Sequence, residues 1–391
     1  MLASLEARPA DPLLSLIKLF EADPRPNKID LGVGVFRDAA GKTPVMQSVK
    51  AAEKKLIELQ DSKSYLGPEG DVSFVNAMAK LAFGNISAGK SYVGLQTPGG
   101  TGALRLLLEL WQRANPDGKV WLGTPSWPVH ETMIRSVGAK IQTYVHYDTT
   151  AQSACPDNLL AAIRSAKSGD LFLLHGCCHN PSGADPDASL WRLIAEALLN
   201  VGAIPLVDLA YQGLGNGLDE DATGLRILLD HLPELLLAYS CDKNFGLYRD
   251  RVGAAYVVSR QLRLLEVAPG HLAEIARSCW SMPPDHGAAV ASLIMAEPTL
   301  TASWRQELNQ MTKRIQSIRE RLAEFGDIGK FAFGRLRNEK GMFALLPATP
   351  DEVVRLRNEN GIFMVGSGRI NLAGLQEADC ERFVQAIRTL V

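Results

Sequence analysis

Four apolar runs in this chain each end in a residue type that could do chemistry. The run Leu235 to Tyr239 leads into Ser240-Cys241-Asp242-Lys243-Asn244-Phe245-Gly246. Such a run reads as a buried strand, and in open α/β sheets ligands gather at the carboxyl ends of strands. A lysine there is either a solvated charge or a nucleophilic amine suited to Schiff-base chemistry. Taken alone, the solvated reading is favoured, because most lysines are exposed. The other three runs shift that balance: Lys119 to Gly123 leads to Trp127, Asp170 to His175 leads to Asn180, and Ala203 to Val207 leads to Asp208 and Tyr211. An indole, an amide, a carboxylate, a phenol and an amine along one sheet edge suit a planar, charged ligand. His175, Cys177, Cys178 and His179 raise the question of a metal, but their spacing and the lack of a second ligand cluster argue against zinc, and no metal is expected.

A second group of residues suits an anion. Gly99-Gly100-Thr101-Gly102 opens an apolar helix, where free N–H groups and the helix dipole favour a phosphate. The stretch matches neither the P-loop nor the dinucleotide fingerprint, and a plain glycine-capped helix is the competing reading. Arg251 could hold a phosphate through its two-pronged guanidinium or pair with Asp250 at the surface. Arg277, ahead of the proline-rich Ser281-Met282-Pro283-Pro284, reads on pattern alone as a solvated charge. Tyr65 sits in the turn-rich Ser64 to Gly70 as packing or as a ligand-facing phenol. Gly32 and Gly34, within Ile29 to Phe36, mark either extended backbone that something approaches closely or a bulged strand.

The elements that must carry these residues alternate strand with helix, which implies a mainly parallel sheet with right-handed crossovers. Helices are expected over Asp11 to Phe20, over Val45 to Leu59, and from Thr299 to a stop at Gly326, the last long enough to bridge two domains. The remainder predicts strands at Phe331 to Phe333, Gly341 to Leu345, Ile362 to Val365 and Arg369 to Ala373. Helices from Asp351 and after Glu377 complete a small α+β domain. With 391 residues, 46% hydrophobic, 21% charged and a net charge of -2, the chain suits a soluble protein with small-molecule partners and gives no sign of nucleic-acid binding. Six cysteines without disulfide-framework spacing fit a reducing, cytoplasmic setting. Met1 to Pro9 lacks a targeting pattern, and no apolar stretch is long enough to span a bilayer, so no membrane partner is expected.

In order along the chain stand Gly-Gly-Thr-Gly, Ser-Trp-Pro, His-Asn-Pro-Ser-Gly, Asp-x-Ala-Tyr-Gln-Gly, Ser-x-x-Lys-Asn-Phe-Gly, Arg-Val-Gly and Ser-Gly-Arg-Ile-Asn. This series resembles the class I aspartate and aromatic-amino-acid aminotransferases over essentially the whole length. The resemblance implies a pyridoxal 5'-phosphate (PLP) enzyme of fold type I, α/β in class. Its large domain, 44–311, would hold a mainly parallel seven-stranded sheet flanked by helices, and both chain ends, 1–43 and 312–391, would form the small α+β domain. It also implies a homodimer with active sites between subunits.

By the same resemblance Lys243 would hold PLP as a Schiff base and move the substrate proton, Asp208 would pair with the pyridine N–H, and Tyr211 and Asn180 would bond the cofactor's phenolic oxygen. Trp127 would stack on the ring and border the substrate. Gly100, Thr101, Ser240 and Arg251 would hold the phosphate, with Tyr65 supplied by the other subunit. Arg369 would clamp the substrate α-carboxylate, helped by Asn180 and the backbone near Gly34, and Arg277 of the neighbouring subunit would meet a distal carboxylate. The implied reaction exchanges the amino group of an aromatic or acidic L-amino acid with a 2-oxo acid such as 2-oxoglutarate. The alternatives are a strict aspartate aminotransferase, a PLP lyase or decarboxylase, and a non-catalytic PLP-sensing module. Cis peptides are expected at Thr124-Pro125 and Asn180-Pro181. Asp242 departs from the family's usual serine, and its carboxylate is expected to face away from the phosphate or to meet Arg249 or Arg251.

Overall fold

Continuous apolar runs are what a sheet covered on both faces demands, and the four read from the sequence lie side by side within one seven-stranded sheet. A computed structural model describes residues 2, 6, 12–85 and 90–391. Across the sheet the strands run Ser91–Pro98, Val252–Ser259, Glu234–Ser240, Ile204–Leu209, Leu171–His175, Lys119–Thr124 and Lys140–Val145. The last five in this order are parallel, whereas Val252–Ser259 runs antiparallel to both its neighbours.

Strand alternation separates two cores. Phe172, Leu174, Val207, Leu209, Leu237 and Tyr239 point into one, while Leu171, Leu173, Leu206, Leu236 and Ala238 point into the other. Helix Gly99–Ala114 covers the second face with Leu104, Leu107, Leu108 and Trp111. A third core gathers Ile29 and Leu31 with residues between Ile318 and Ile387. The long helix is Pro298–Ala323. It gives Leu300, Trp304, Leu308, Met311 and Ile315 to the first core and Ile318 and Leu322 to the third, so it links the two cores.

Local chemistry explains where elements stop. The N-terminal helix covers Pro12–Ala22, with the expected start at Asp11 and the stretch Met1 to Pro9 lying outside the described residues apart from Leu2 and Glu6. The second helix covers Gln47–Leu59. Ile29 and Asp30 alone form a strand, parallel to Ile362–Phe363. Beyond them the Asp30 carboxylate accepts the Gly32 N–H at 2.9 Å and turns the chain out of the ladder. The close approach expected here is real: a Cβ on Gly32 would stand 2.2 Å from Leu16, and one on Gly34 would stand 2.9 Å from Phe343.

The expected strand Phe331 to Phe333 is absent. A single bridge pairs Ile328 with Phe331, and a 3₁₀ helix follows over Phe333–Arg337. Both rings are buried in the third core, and that packing overrides the alternating pattern. Short strands Phe343–Leu345, Ile362–Phe363 and Arg369–Asn371, with helices Pro350–Asn360 and Cys380–Arg388, match the rest of the expectation for this region. Strands Ser91–Pro98, Lys140–Val145 and Val252–Ser259 of the main sheet are additions not expected from the sequence. No helix among the described residues is long and apolar enough to cross a membrane.

Candidate active site

The sheet brings the four strand-end groups together. His175 and Asp208 are register partners, as are Leu209 and Tyr239, so the parallel strands end level with one another. Arg251 precedes its strand rather than following it. The antiparallel direction of Val252–Ser259 delivers it to the same edge, beside Ser240, the register partner of Gly253. Ser91–Pro98 runs into the start of helix Gly99–Ala114 there as well.

A cavity of about 290 Å³ occupies this edge, lined by Gly34, Gly100, Thr101, Trp127, Asn180, Asp208, Tyr211, Ser240, Lys243, Arg251 and Arg369. Eleven of the thirteen residues singled out from sequence therefore share one wall. Leu13, Val33, Leu104, His175, Ala210, Asp242 and Phe343 complete it. Tyr65 and Arg277 do not line it: Tyr65 is 92% exposed, and Arg277, on helix Leu262–Cys279, is also exposed. The Leu66 N–H meets Met282 Sδ at 3.2 Å, so Tyr65's loop lies against the segment that follows Arg277. A separate apolar groove, bordered by Trp111, Leu235, Leu264 and Ala268, lacks this convergence of polar groups.

At the Asp208 end the carboxylate is buried and accepts the His130 Nε2–H at 3.0 Å. His130 Nδ1 lies 2.9 Å from Ser126 Oγ, which lies 3.1 Å from His175 Nε2. His130 thus links Asp208 to Ser126 and, through Ser126, to His175 in one continuous file. Burial alone would raise the Asp208 carboxyl. The bond and charge of His130, with His175 and Lys243 nearby, outweigh it and hold the group below its ordinary range. Burial pushes His175 down to about 3, which keeps it uncharged. Sequence reading missed His130 and Ser126. The one available signal was their spacing of four around the start of helix Pro128–Ser136, which puts both beside Trp127.

Lys243 Nζ lies 5.3 Å from the Tyr211 ring centre. Burial lowers its pKa against the pull of Asp242 and Asp208, favouring the neutral amine that a nucleophile requires. Burial and the Asp208 charge raise the Tyr211 phenol, whose oxygen receives the Asn180 side-chain N–H at 3.4 Å. Arg369 donates to Asn180 Oδ1 at 3.4 Å and to the Gly32 carbonyl at 2.8 Å, and its guanidinium lies 4.5 Å over the Phe343 ring. Its Nε–H is buried without a partner. A buried donor left unmade is costly, and a carboxylate arriving in the cavity would satisfy it.

At the other end, a Cβ on Gly100 would stand 2.9 Å from Ser240 Cβ, so only glycine lets the helix start and the serine meet. Arg251, at φ +56°, is ion-paired with Asp242 rather than with Asp250. Asp242 thus meets one of the two expected arginines, yet its carboxylate still borders the cavity. Thr124-Pro125 and Asn180-Pro181 are both cis, as expected. Cys177, Cys178 and Asp221 bring their ligand atoms within 4.8 Å of one another in the interior, a grouping the sequence reading did not make.

Comparison with known proteins extends the likeness beyond the cavity. The family model for aminotransferase class I and II matches residues 26–387. The tyrosine aminotransferase of Rhizobium meliloti (strain 1021) is 47% identical over 379 residues, 97% of each chain. The aspartate aminotransferase of Salmonella typhi is 41% identical over 394 residues, 99% of each. A crystal structure of the aromatic-amino-acid aminotransferase from Burkholderia pseudomallei, covalently bound to pyridoxal phosphate, superposes with a TM-score of 0.95 at 33% identity, covering 100% of this chain and 99% of that one. A likeness that runs from end to end in both sequence and fold makes the chain a member of the class I and II aminotransferases.

Proposed function

We propose that this aminotransferase moves the amino group of an aromatic or acidic L-amino acid, such as tyrosine, phenylalanine or aspartate, to a 2-oxo acid such as 2-oxoglutarate. The observation that carries the reading is the placement of a lysine whose burial favours the neutral amine between an anionic carboxylate and an anion cradle, with Arg369, whose Nε–H lacks a partner, lining the same cavity. Relatives named for tyrosine and for aspartate support the breadth of substrate.

The cavity suits PLP. Bare backbone N–H groups at Gly100 and Thr101, with Ser240 and Arg251, form a donor set for its phosphate, and Asp208 is an acceptor for a ring N–H. Bound there on Lys243, PLP supplies an electron-withdrawing ring that accepts the electron pair released at the substrate α-carbon. Asp208 stays ionised and holds a proton on the ring nitrogen. Lys243 Nζ, once the substrate amine has released it and with burial favouring its neutral form, would take the proton from the substrate α-carbon and pass it to the cofactor. Arg369 orients the α-carboxylate through its free Nε–H and its two-pronged face, and Asn180 and Tyr211 hold each other in place at the cofactor's oxygen. Trp127, Phe343 and Leu13 give the cavity apolar walls that exclude water and accept an aromatic ring. Two half-reactions on one site mean ping-pong kinetics.

Tyr65 and Arg277 are assigned to the site of a second copy: Tyr65 would reach the phosphate and Arg277 a distal carboxylate. Their exposure and shared surface support a homodimer. The assigned domains are 44–311 and, from both chain ends, 1–43 with 312–391; the third core's membership supports this division. A cytoplasmic setting fits the unpaired cysteines. The test is Lys243→Ala together with specificity constants for aspartate, phenylalanine and tyrosine. The variant should bind PLP but lose transamination, and near-normal turnover would refute the assignment.

A further inference from the structure

The cavity wall holds two carboxylates among its described residues, Asp208 and Asp242. Asp208 lies at the end assigned to the cofactor ring, and Asp242 at the opposite end, beside Arg251. Its side chain is 3% exposed, and its Oδ2 is paired with Arg251 Nη1. Oδ1 accepts the Val252 N–H at 3.1 Å, and its own N–H donates to Ser240 Oγ at 3.3 Å. Gly99, at φ +68°, presses onto this pair: a Cβ there would stand 2.6 Å from Arg251 Nη2 and 3.2 Å from Asp242 Oδ2. A buried anion therefore already engages Arg251, one of the groups assigned to the cofactor phosphate, while its own backbone N–H takes up Ser240 Oγ, another.

The charge around Asp242 is uneven. Arg251 faces it from the start of strand Val252–Ser259, Lys243 and Tyr248 from the loop, and Cys241 from the end of strand Glu234–Ser240. Burial raises both Tyr248 and Cys241 and keeps them neutral. Helix Gly99–Ala114 adds its positive end but no ionisable side chain in its first turn, Gly99 to Gly102. A phosphate group carrying about two negative charges would share this small set of positive partners with a carboxylate that cannot leave.

Resting on the reading of this cradle as the PLP phosphate site, we propose that Asp242 makes its occupation proton-coupled. The phosphate takes over Arg251 as its partner, the Asp242 carboxylate gains one proton from solvent to become a carboxylic acid, and its new O–H donates to a phosphate oxygen. Cofactor is then held less tightly as pH rises. Burial already pushes the Asp242 carboxyl upward against the pull of Lys243 and Arg251, so the proton has a receptive site.

The test uses the full chain freed of cofactor and titrated calorimetrically with pyridoxamine 5'-phosphate, which forms no Schiff base with Lys243. Buffers of different ionisation enthalpy report protons taken up. Asp242→Asn preserves shape and the acceptor for Val252, and Asp242→Ser serves as a second variant. Relative to wild type, both should bind about tenfold or more tighter at about pH 8 and take up about one proton fewer. Equal affinity and equal proton count would overturn the proposal, and so would weaker binding in both variants, which would make Asp242 a brace for Arg251 alone. Adding PLP to wild type guards the underlying reading. Failure to develop the visible absorbance of a lysine Schiff base would strike the proposed function itself, whereas its appearance alongside unchanged variants would remove only this inference.

Discussion

At one end of the cavity Asp208 is held by a hydrogen-bonded file, His130, Ser126 and His175, whereas at the other Arg251 is met directly by the opposing charge of Asp242. A file of hydrogen bonds from behind steadies the Asp208 carboxylate and holds its carboxyl below the ordinary range, so Asp208 stays ionised for whatever lies in front of it. An ion pair steadies its members by cancelling them, and Arg251 must be shared before it can bind anything else. The first arrangement serves chemistry; the second serves adjustable binding.

Asp208→Ala should break the first arrangement most severely. Turnover at saturating cofactor is expected to fall about 1,000-fold, the scale of losing a group aimed at developing charge. Single-turnover kinetics would show the loss in the chemical step. Stability in acid comes next. Burial holds His175 at about 3, His146 at about 4 and His179 well below its ordinary value, whereas in the unfolded chain all three titrate near 6.5. Below that pH the unfolded chain takes up protons that the folded chain refuses. Stability should be complete above about pH 6.5 and fall towards about pH 4, by up to about 4 kcal/mol per pH unit at its steepest. Urea midpoints against pH would measure the slope, and His175→Phe should make it shallower; an unchanged slope would mean His175 is not held neutral.

Arg251→Ala probes the opposite end. It should weaken cofactor binding by about 10- to 100-fold, the worth of a charged hydrogen bond, and leave turnover nearly intact once cofactor saturates. If it lowered turnover as far as Asp208→Ala does, the two ends would not differ in kind. The smallest effect is expected for His130→Phe, which removes one donor to Asp208 and should cost about tenfold in turnover. Its distinguishing mark would be a shift of the pH profile, because Asp208 would lose the partner that holds its carboxyl down.

Much of this site was legible because chemistry-bearing residues follow apolar runs. Trp127, Asn180, Asp208, Tyr211 and Lys243 each announce a strand end, and parallel topology places strand ends together. Arg251 was harder, since it precedes a strand, and only the antiparallel pairing of Val252–Ser259 explains its arrival. His130 was not legible: its partner lies 78 residues away, and nothing local indicates which helix crosses which strand end. Leu13 and Phe343 were missed because an apolar side chain reads the same whether it lines a core or a cavity. Phe331 to Phe333 misled for a related reason: alternation records which side chains are buried, and a tight turn followed by a 3₁₀ helix can bury the same two rings.

The bridging of cores by helix Pro298–Ala323, and the pairing of Ile29–Asp30 with Ile362–Phe363, bear on how the chain emerges from the ribosome. Ile29 and Leu31 leave the exit tunnel early, yet the apolar surface that shelters them is supplied by residues synthesised more than 280 positions later. For most of translation the opening segment must wait in solvent or in the care of a chaperone. Arg369 stands on strand Arg369–Asn371, which is anchored in that late-forming core by Ile370, so the arm assigned to grip the substrate is among the last parts of the cavity to be assembled.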